Sequence, residues 1–152
     1  MKHIQSEYSC INFTDFMRHI LPNNCTFVDI ETTGFSSLSS HIYLIGCLKI
    51  ENHKISANQF LAQKPEEESD ILEAFLQYIQ DTTSIITFNG TTFDLPFIEN
   101  RCKALNICAN LNTKSHLDIY KEVISMKSIL QLTNYKQKTI ETFLGIDRED
   151  IY

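Results

Sequence analysis

The sequence predicts an α/β fold: a mixed sheet, with an antiparallel three-stranded meander continued by parallel strands and helices packed on its faces. Three observations predict it. Three strand-like runs, CTFVDIET, HIYLIGCLKI and ISANQFLA, follow one another with only GFSSLSS and ENHK between them, the pattern of a meander. Strand-like and helix-like segments then alternate, which brings further strands into the sheet through crossover helices. The chain has 152 residues, 43% of them hydrophobic, and no internal repeat, so one domain over 1–152 has enough material for a core.

The elements follow in order. Residues 1–24 read as an N-terminal extension with a helix near 12–20, where apolar residues at 13, 16, 17 and 20 share one face. After the meander, EEESDILEAFLQYIQ puts Ile71, Leu72, Phe75, Leu76 and Ile79 on one helical stripe. Its acidic start suits the positive end of a helix dipole. TSIITFN is a short buried-strand candidate, and DLPFIENRCKAL a helix with Pro96 in its first turn. HLDIYKEVISMKSIL reads as a short strand or loop feeding another helix, and KQKTIETFLG as a last helix stopped by Gly145.

Composition excludes some classes of function. The longest apolar runs are far shorter than the roughly 18–20 residues that span a bilayer, and MKHIQSEYSCINFTDF, without a continuous apolar stretch or a small-residue cleavage site, is not expected to act as a secretory signal. Five cysteines without a CxxC pair read as reduced thiols, so a cytoplasmic location is expected. A net charge of −6 argues against a broadly basic nucleic-acid binder. The charge is uneven, however: residues 1–100 carry 5 Lys and Arg against 13 Asp and Glu, and residues 101–152 carry 8 against 6. An acidic site beside this mildly basic portion can hold a phosphate chain if metal ions neutralise the acids. Plain surface charge gives the same distribution.

The residues that point to chemistry lie in FVDIETTG. Asp29 and Glu31 stand two apart on a strand, hence on one face and about 6–7 Å apart. Acids are depleted in strands, and two on one face repel unless a cation or water compensates them. An edge strand with its acids in solvent is the alternative. A third acid, Asp94, follows in ITFNGTTFDLPFIENR, where a buried strand passes through a turn into a helix. Here the alternatives are a helix N-cap for Asp94 and a β-hairpin at Asn89-Gly90. The proline and the apolar spacing of DLPFIENR favour strand–turn–helix. If the three carboxylates converge, oxygen-only ligation selects Mg²⁺ or Mn²⁺, and a pair of such ions suits phosphodiester hydrolysis.

FVDIETTGFSSLSSHIYLIGCL and ITFNGTTFDLPFIENRC resemble the first two exonuclease motifs of the DnaQ-like (DEDD) 3′–5′ exonuclease superfamily, in particular the bacterial YprB-type exonuclease domain. HLDIY and KTIETFLGIDREDI are similar to that subfamily as well, so the resemblance runs from about residue 25 to the end. It implies a ribonuclease H-like mixed sheet flanked by helices and a metal-dependent exonuclease. Such an enzyme hydrolyses single-stranded DNA or RNA from 3′ ends with two Mg²⁺ or Mn²⁺ ions. By the same resemblance Asp29, Glu31 and Asp94 are catalytic, metal-binding acids, and Thr32, Thr33 and Gly34 lie against the terminal nucleotide. Asn89 and Phe93 stand near the substrate strand, Phe93 being equally suited to the core. Asp118 supports the site, or else serves as a helix N-cap or structural hydrogen-bond acceptor.

One feature of the family is not found. Its fourth aspartate lies on a C-terminal helix, preceded by a histidine or tyrosine as general base. Asp147 and Asp150 fall upstream of where that helix begins, and His116 has no acid at the required offset. The last helix is therefore expected to be lacking from residues 1–152, as in a fragment or a naturally short protein, with weak or no turnover. A catalytically degenerate fold that binds nucleic acid or a protein partner is the alternative function. A domain with scattered surface acids is the bland one.

Overall fold

In the computed structural model, residues 1–9, 20–51 and 54–146 are described. The helix expected near 12–20 and the acids Asp147 and Asp150 lie outside them, apart from Ile20. Six strands form one sheet: β1 (Lys2–Ser9), β2 (Cys25–Thr32), β3 (Ile42–Glu51), β4 (Lys54–Leu61), β5 (Ser84–Thr87) and β6 (Ser115–Asp118), in the order β1-β4-β3-β2-β5-β6. The expected meander is β2-β3-β4, antiparallel throughout. Beyond it, β5 lies parallel to β2, and β6 parallel to β5. The helices are α1 (Glu68–Tyr78), α2 (Asp94–Ala104), α3 (Ile119–Ser125), α4 (Lys127–Leu130) and α5 (Gln137–Phe143). The mixed sheet with flanking helices is the architecture expected.

Two elements differ from expectation. Residues 2–9 are not an extension but an edge strand, paired with β4 along its whole length. KHIQSEYS is mostly polar and mostly solvent-exposed, so backbone pairing rather than an apolar face holds it. The helix expected to run through SMKSIL is broken at Met126, which ends α3 and begins α4; α4 then closes on Gln131 at φ 46°. Gly145, at φ +72°, ends α5 as expected.

The core lies between one sheet face and helices α1 and α2. Val28, Ile30, Ile45, Cys47 and Phe60 from the meander meet Ile71, Leu72, Phe75, Phe97 and Ile98 there. All four residues of β5 are buried, as in a strand covered on both faces. Along β2, Thr26, Val28 and Ile30 are buried, whereas Asp29 and Glu31 are exposed on the opposite face. The period of two thus delivers the acids to the less covered side of the sheet. A register shift between Glu31 and Thr32 terminates regular pairing just past them, the usual place of a bulge beside a site. The described cysteines, Cys25, Cys47, Cys102 and Cys108, are all free thiols.

Candidate active site

β2, β5 and β6 run parallel and end side by side, and the acids cluster at those carboxyl ends, where open α/β sheets place their ligands. Asp29 and Glu31 belong to the end of β2, Asp94 begins the helix after β5, and Asp118 is the last residue of β6. Pairing between β2 and β5 covers only Cys25–Phe27 with Ser84–Ile86. Past it the strands part, and the carboxylate of Asp94 enters the gap: its Oδ1 accepts the Ile30 N–H at 3.2 Å. Asp94 is therefore not the N-cap of α2. That position is Phe93, whose side chain makes no capping bond.

Asp94 is 5% exposed, and burial, then the charge of Asp29, pushes its carboxyl up to about 6. The Ile30 N–H and its own N–H oppose the rise, and the more distant Asp118 adds to it. Partial burial raises Asp29 too, against the Ile30 N–H. The charges of Asp29 and Asp94 repel each other. Both line a cleft of about 620 Å³, whose walls include Phe88, Phe93 and Tyr120, with Asn89 and residues 134–137 around it. Glu31 lies outside this cleft and joins Asp29 in a second, wider groove on the sheet face beside α5. As the side chains stand, no three His, Cys, Asp or Glu among the described residues form a group that could hold a metal ion. The acids brought together are Asp29 and Asp94, with Glu31 adjacent along the strand.

The turn between β5 and α2 is tightly built. Asn89 takes φ 64°, and its side-chain Oδ1 accepts the Thr92 hydroxyl at 2.8 Å. Gly90 donates its N–H to Thr87 Oγ1 at 3.1 Å, and a Cβ on Gly90 would come within 2.3 Å of that oxygen. The Thr87 contact explains the glycine without any backbone strain, and the hairpin reading fails because the turn leads into α2. Asp118 holds the same turn from below: its carboxylate accepts Asn89 N–H at 2.8 Å, Thr91 N–H at 3.0 Å and Tyr120 N–H at 3.1 Å. Burial works to raise this carboxyl, yet the hydrogen bonds from Thr91, Asn89 and Tyr120 together hold it below the usual range. The last of these bonds makes Asp118 the N-cap of α3. His116, on the exposed part of β6, lies 2.8 Å from Thr87 Oγ1, and partial burial lowers its pKa despite Asp118 nearby.

Thr32, Thr33 and Gly34 start the loop that leaves β2. Thr32 Oγ1 donates to Gly34 O at 2.8 Å and Thr33 N–H to His41 O at 3.0 Å, closing the base of the loop. Gly34 faces Ser40 so closely that a Cβ there would lie 2.6 Å from its Oγ. Phe93 is half-buried, packed on Phe97 at 5.4 Å between ring centres, and meets Phe35 edge-on at 6.4 Å. It belongs to the core and to the cleft wall at once. Phe35 and Leu38 stand 95% and 91% exposed on the loop.

Sequence reasoning did not reach several neighbours of the cleft. Tyr120 was only part of HLDIY, and Lys136, on the segment before α5, carried no local signal. Glu68, expected to serve the α1 dipole, is instead 3% exposed and paired with Arg101, Nη2 to Oε2 at 2.6 Å.

With this geometry in view, the comparisons place the chain. Residues 26–151 match the family model RNase_H_2 of the RNase H superfamily. Among curated proteins, the uncharacterized protein YprB of Bacillus subtilis (strain 168) is 35% identical over 80 residues, 52% of this chain and 19% of YprB. The PolC-type DNA polymerase III of Caldanaerobacter subterraneus subsp. tengcongensis is 24% identical over 140 residues, 78% of this chain and 10% of the polymerase. The chain therefore spans less than a fifth of the length of either relative. Among solved structures, the family B DNA polymerase of Pyrobaculum calidifontis superposes with a TM-score of 0.66 at 15% identity, covering 82% of this chain and 18% of the polymerase. An exonuclease I structure gives 0.64 at 13% identity, covering 84% of this chain and 36% of its own. At these identities the solved structures speak for the fold, a ribonuclease H-like sheet, and the family match goes further: the chain belongs to the RNase H superfamily.

Proposed function

We propose that this domain is a metal-dependent 3′–5′ exonuclease that hydrolyses phosphodiester bonds at single-stranded DNA or RNA ends with two Mg²⁺ or Mn²⁺ ions. The observation that carries the reading is the meeting of Asp29 and Asp94 in one cleft, where burial and the charge of Asp29 push Asp94 up to about 6. An arrangement that stores repulsion between carboxylates fits a site made for a hard cation. The exonuclease I likeness, the DNA polymerase relatives and the family membership support a nuclease.

Asp29, Asp94 and, once its side chain turns toward them, Glu31 would hold the ions through oxygen donors alone. Bound Mg²⁺ or Mn²⁺ supplies charge for the phosphate in the transition state and lowers the pKa of water. The chain's own residues do the rest. Thr32, Thr33 and Gly34 form the closed base of a loop against which the terminal nucleotide lies. Asn89, held at positive φ by its turn, and Phe93 flank the strand next to Asp94. Asp118 keeps that turn in place and does not touch substrate. Exposed Phe35, with Phe93 behind it, offers a ring on which a base stacks. Lys136 lines the cleft and offers a positive charge to a phosphate on the substrate.

The test is degradation of a 5′-labelled single-stranded oligonucleotide by excess protein in Mn²⁺, read as a ladder of products shortened from the 3′ end. The expected result is Mn²⁺-dependent shortening that EDTA stops and Asp29→Asn abolishes. Degradation at an unchanged rate in Asp29→Asn would refute the proposal.

A further inference from the structure

A buried ion pair reaches from the helices to the loop beside the cleft. Arg101, in the last turn of α2, grips Glu68 at the start of α1 with two parallel bonds, Nε to Oε1 at 2.9 Å and Nη2 to Oε2 at 2.6 Å. Its remaining nitrogen, Nη1, donates to Ser37 O at 3.1 Å. Glu68 Oε1 also accepts the Ile42 N–H at 2.8 Å. The preceding residue of α2, Asn100, donates to Ser37 Oγ at 3.1 Å. The loop between β2 and β3 is thus held at its middle, Ser37, and at its far end, Ile42, by one ion pair that bridges two helices.

Such a pair is weak evidence for stability, because desolvating both charges offsets most of their attraction. What it fixes is more informative. Ser37 lies between Phe35 and Leu38, whose side chains stand 95% and 91% in solvent. Apolar side chains so exposed contribute nothing to the core. The loop so tied at Ser37 displays Phe35 against Phe93, a residue of the cleft wall.

We propose that Arg101 is a positioning residue: through Glu68 and Ser37 it sets the 33–41 loop so that Phe35 stands at the mouth of the cleft as a stacking surface for the substrate strand. The inference rests on the nuclease reading for the identity of that strand, though the loop restraint itself does not. Arg101 works by its fork: a lysine keeps the charge but cannot make the paired bonds to Glu68 and the third to Ser37.

Two readouts test it and separate it from the nuclease reading. The chain contains no tryptophan, so Phe35→Trp places a single fluorophore on the loop. Its anisotropy is expected to fall when Arg101→Lys is added, with thermal melting used to confirm that the variant is folded. Unchanged anisotropy would overturn the inference whatever the protein's activity. Binding of a fluorescein-labelled oligo-dT in Ca²⁺ gives the second readout. Phe35→Ala and Arg101→Lys are each expected to weaken it by roughly tenfold, about one base–aromatic stack, and the double variant no further than Phe35→Ala alone. Additive losses would overturn the inference. If Arg101→Lys does not fold, Asn100→Ala, an exposed residue that anchors the same serine, takes its place in both readouts under the same criteria. No binding by the parent chain, together with a fall in loop anisotropy, would count against the nuclease reading and leave the loop restraint supported.

Discussion

Asp94→Asn should make the metal-free protein more stable while removing its chemistry. Asparagine keeps an oxygen for the Ile30 N–H and discards the charge that burial and Asp29 both oppose. In the folded protein the Asp94 carboxyl rises from 3.8 to about 6, a change of roughly two units, and at about 1.4 kcal/mol per unit the ceiling is about 3 kcal/mol. A gain of about 1–3 kcal/mol corresponds to roughly 3–10 °C in Tm for a domain of this size. The sign in pH follows from proton counting. Between about pH 4 and pH 6 the native state holds a proton on Asp94 that the unfolded chain has released, so stability falls as pH rises through that window. The penalty is complete above it. Thermal melts in EDTA from pH 4 to pH 8 are the assay. The variant's advantage over the parent should be near zero at pH 4, grow through pH 5 and level off above about pH 6.5. A variant that melts below the parent at pH 7.5, or a difference independent of pH, would refute the reasoning.

Other predictions are simpler. Gly90→Ala drives a Cβ to 2.3 Å from Thr87 Oγ1, and overpacking of this kind should cost at least about 1–3 kcal/mol in chemical denaturation; a neutral result would contradict the turn geometry. Asp118→Ala strips acceptors from the N–H groups of Asn89, Thr91 and Tyr120 and should cost about 2–4 kcal/mol. Because the Asp118 carboxyl is held below its usual range, that loss should be full at neutral pH and shrink as pH drops through the folded value, again read by denaturant melts. Lys136→Ala should weaken oligonucleotide binding alike for all sequences and flatten its salt dependence by about one unit of slope; an unchanged slope would remove Lys136 from the contact.

Much of the fold was legible because the segments that form it carry strong periods. The meander alternates, α1 shows one apolar stripe, and Pro96 and Gly145 punctuate where their backbone chemistry demands. β1 was not legible, since KHIQSEYS buries little and is recruited through its backbone by β4. The break at Met126 has neither Gly nor Pro to announce it. In the site, the alternation of β2 placed Asp29 and Glu31 on one face from sequence alone. That Asp94 meets Asp29 came from a motif resemblance, because no local pattern encodes the parting of β2 and β5 that lets its carboxylate in. Glu68 shows the same limit. Its place at a helix start suggested a dipole partner, whereas its actual partner, Arg101, lies 33 residues along the chain.

The most direct test of the account is calorimetric titration of the chain with Mn²⁺ at neutral pH. Saturable binding that is lost in Asp29→Asn and in Asp94→Asn is the predicted result. An isotherm unchanged by those substitutions, or no heat from the parent protein, would contradict the claim that these carboxylates are a cation site.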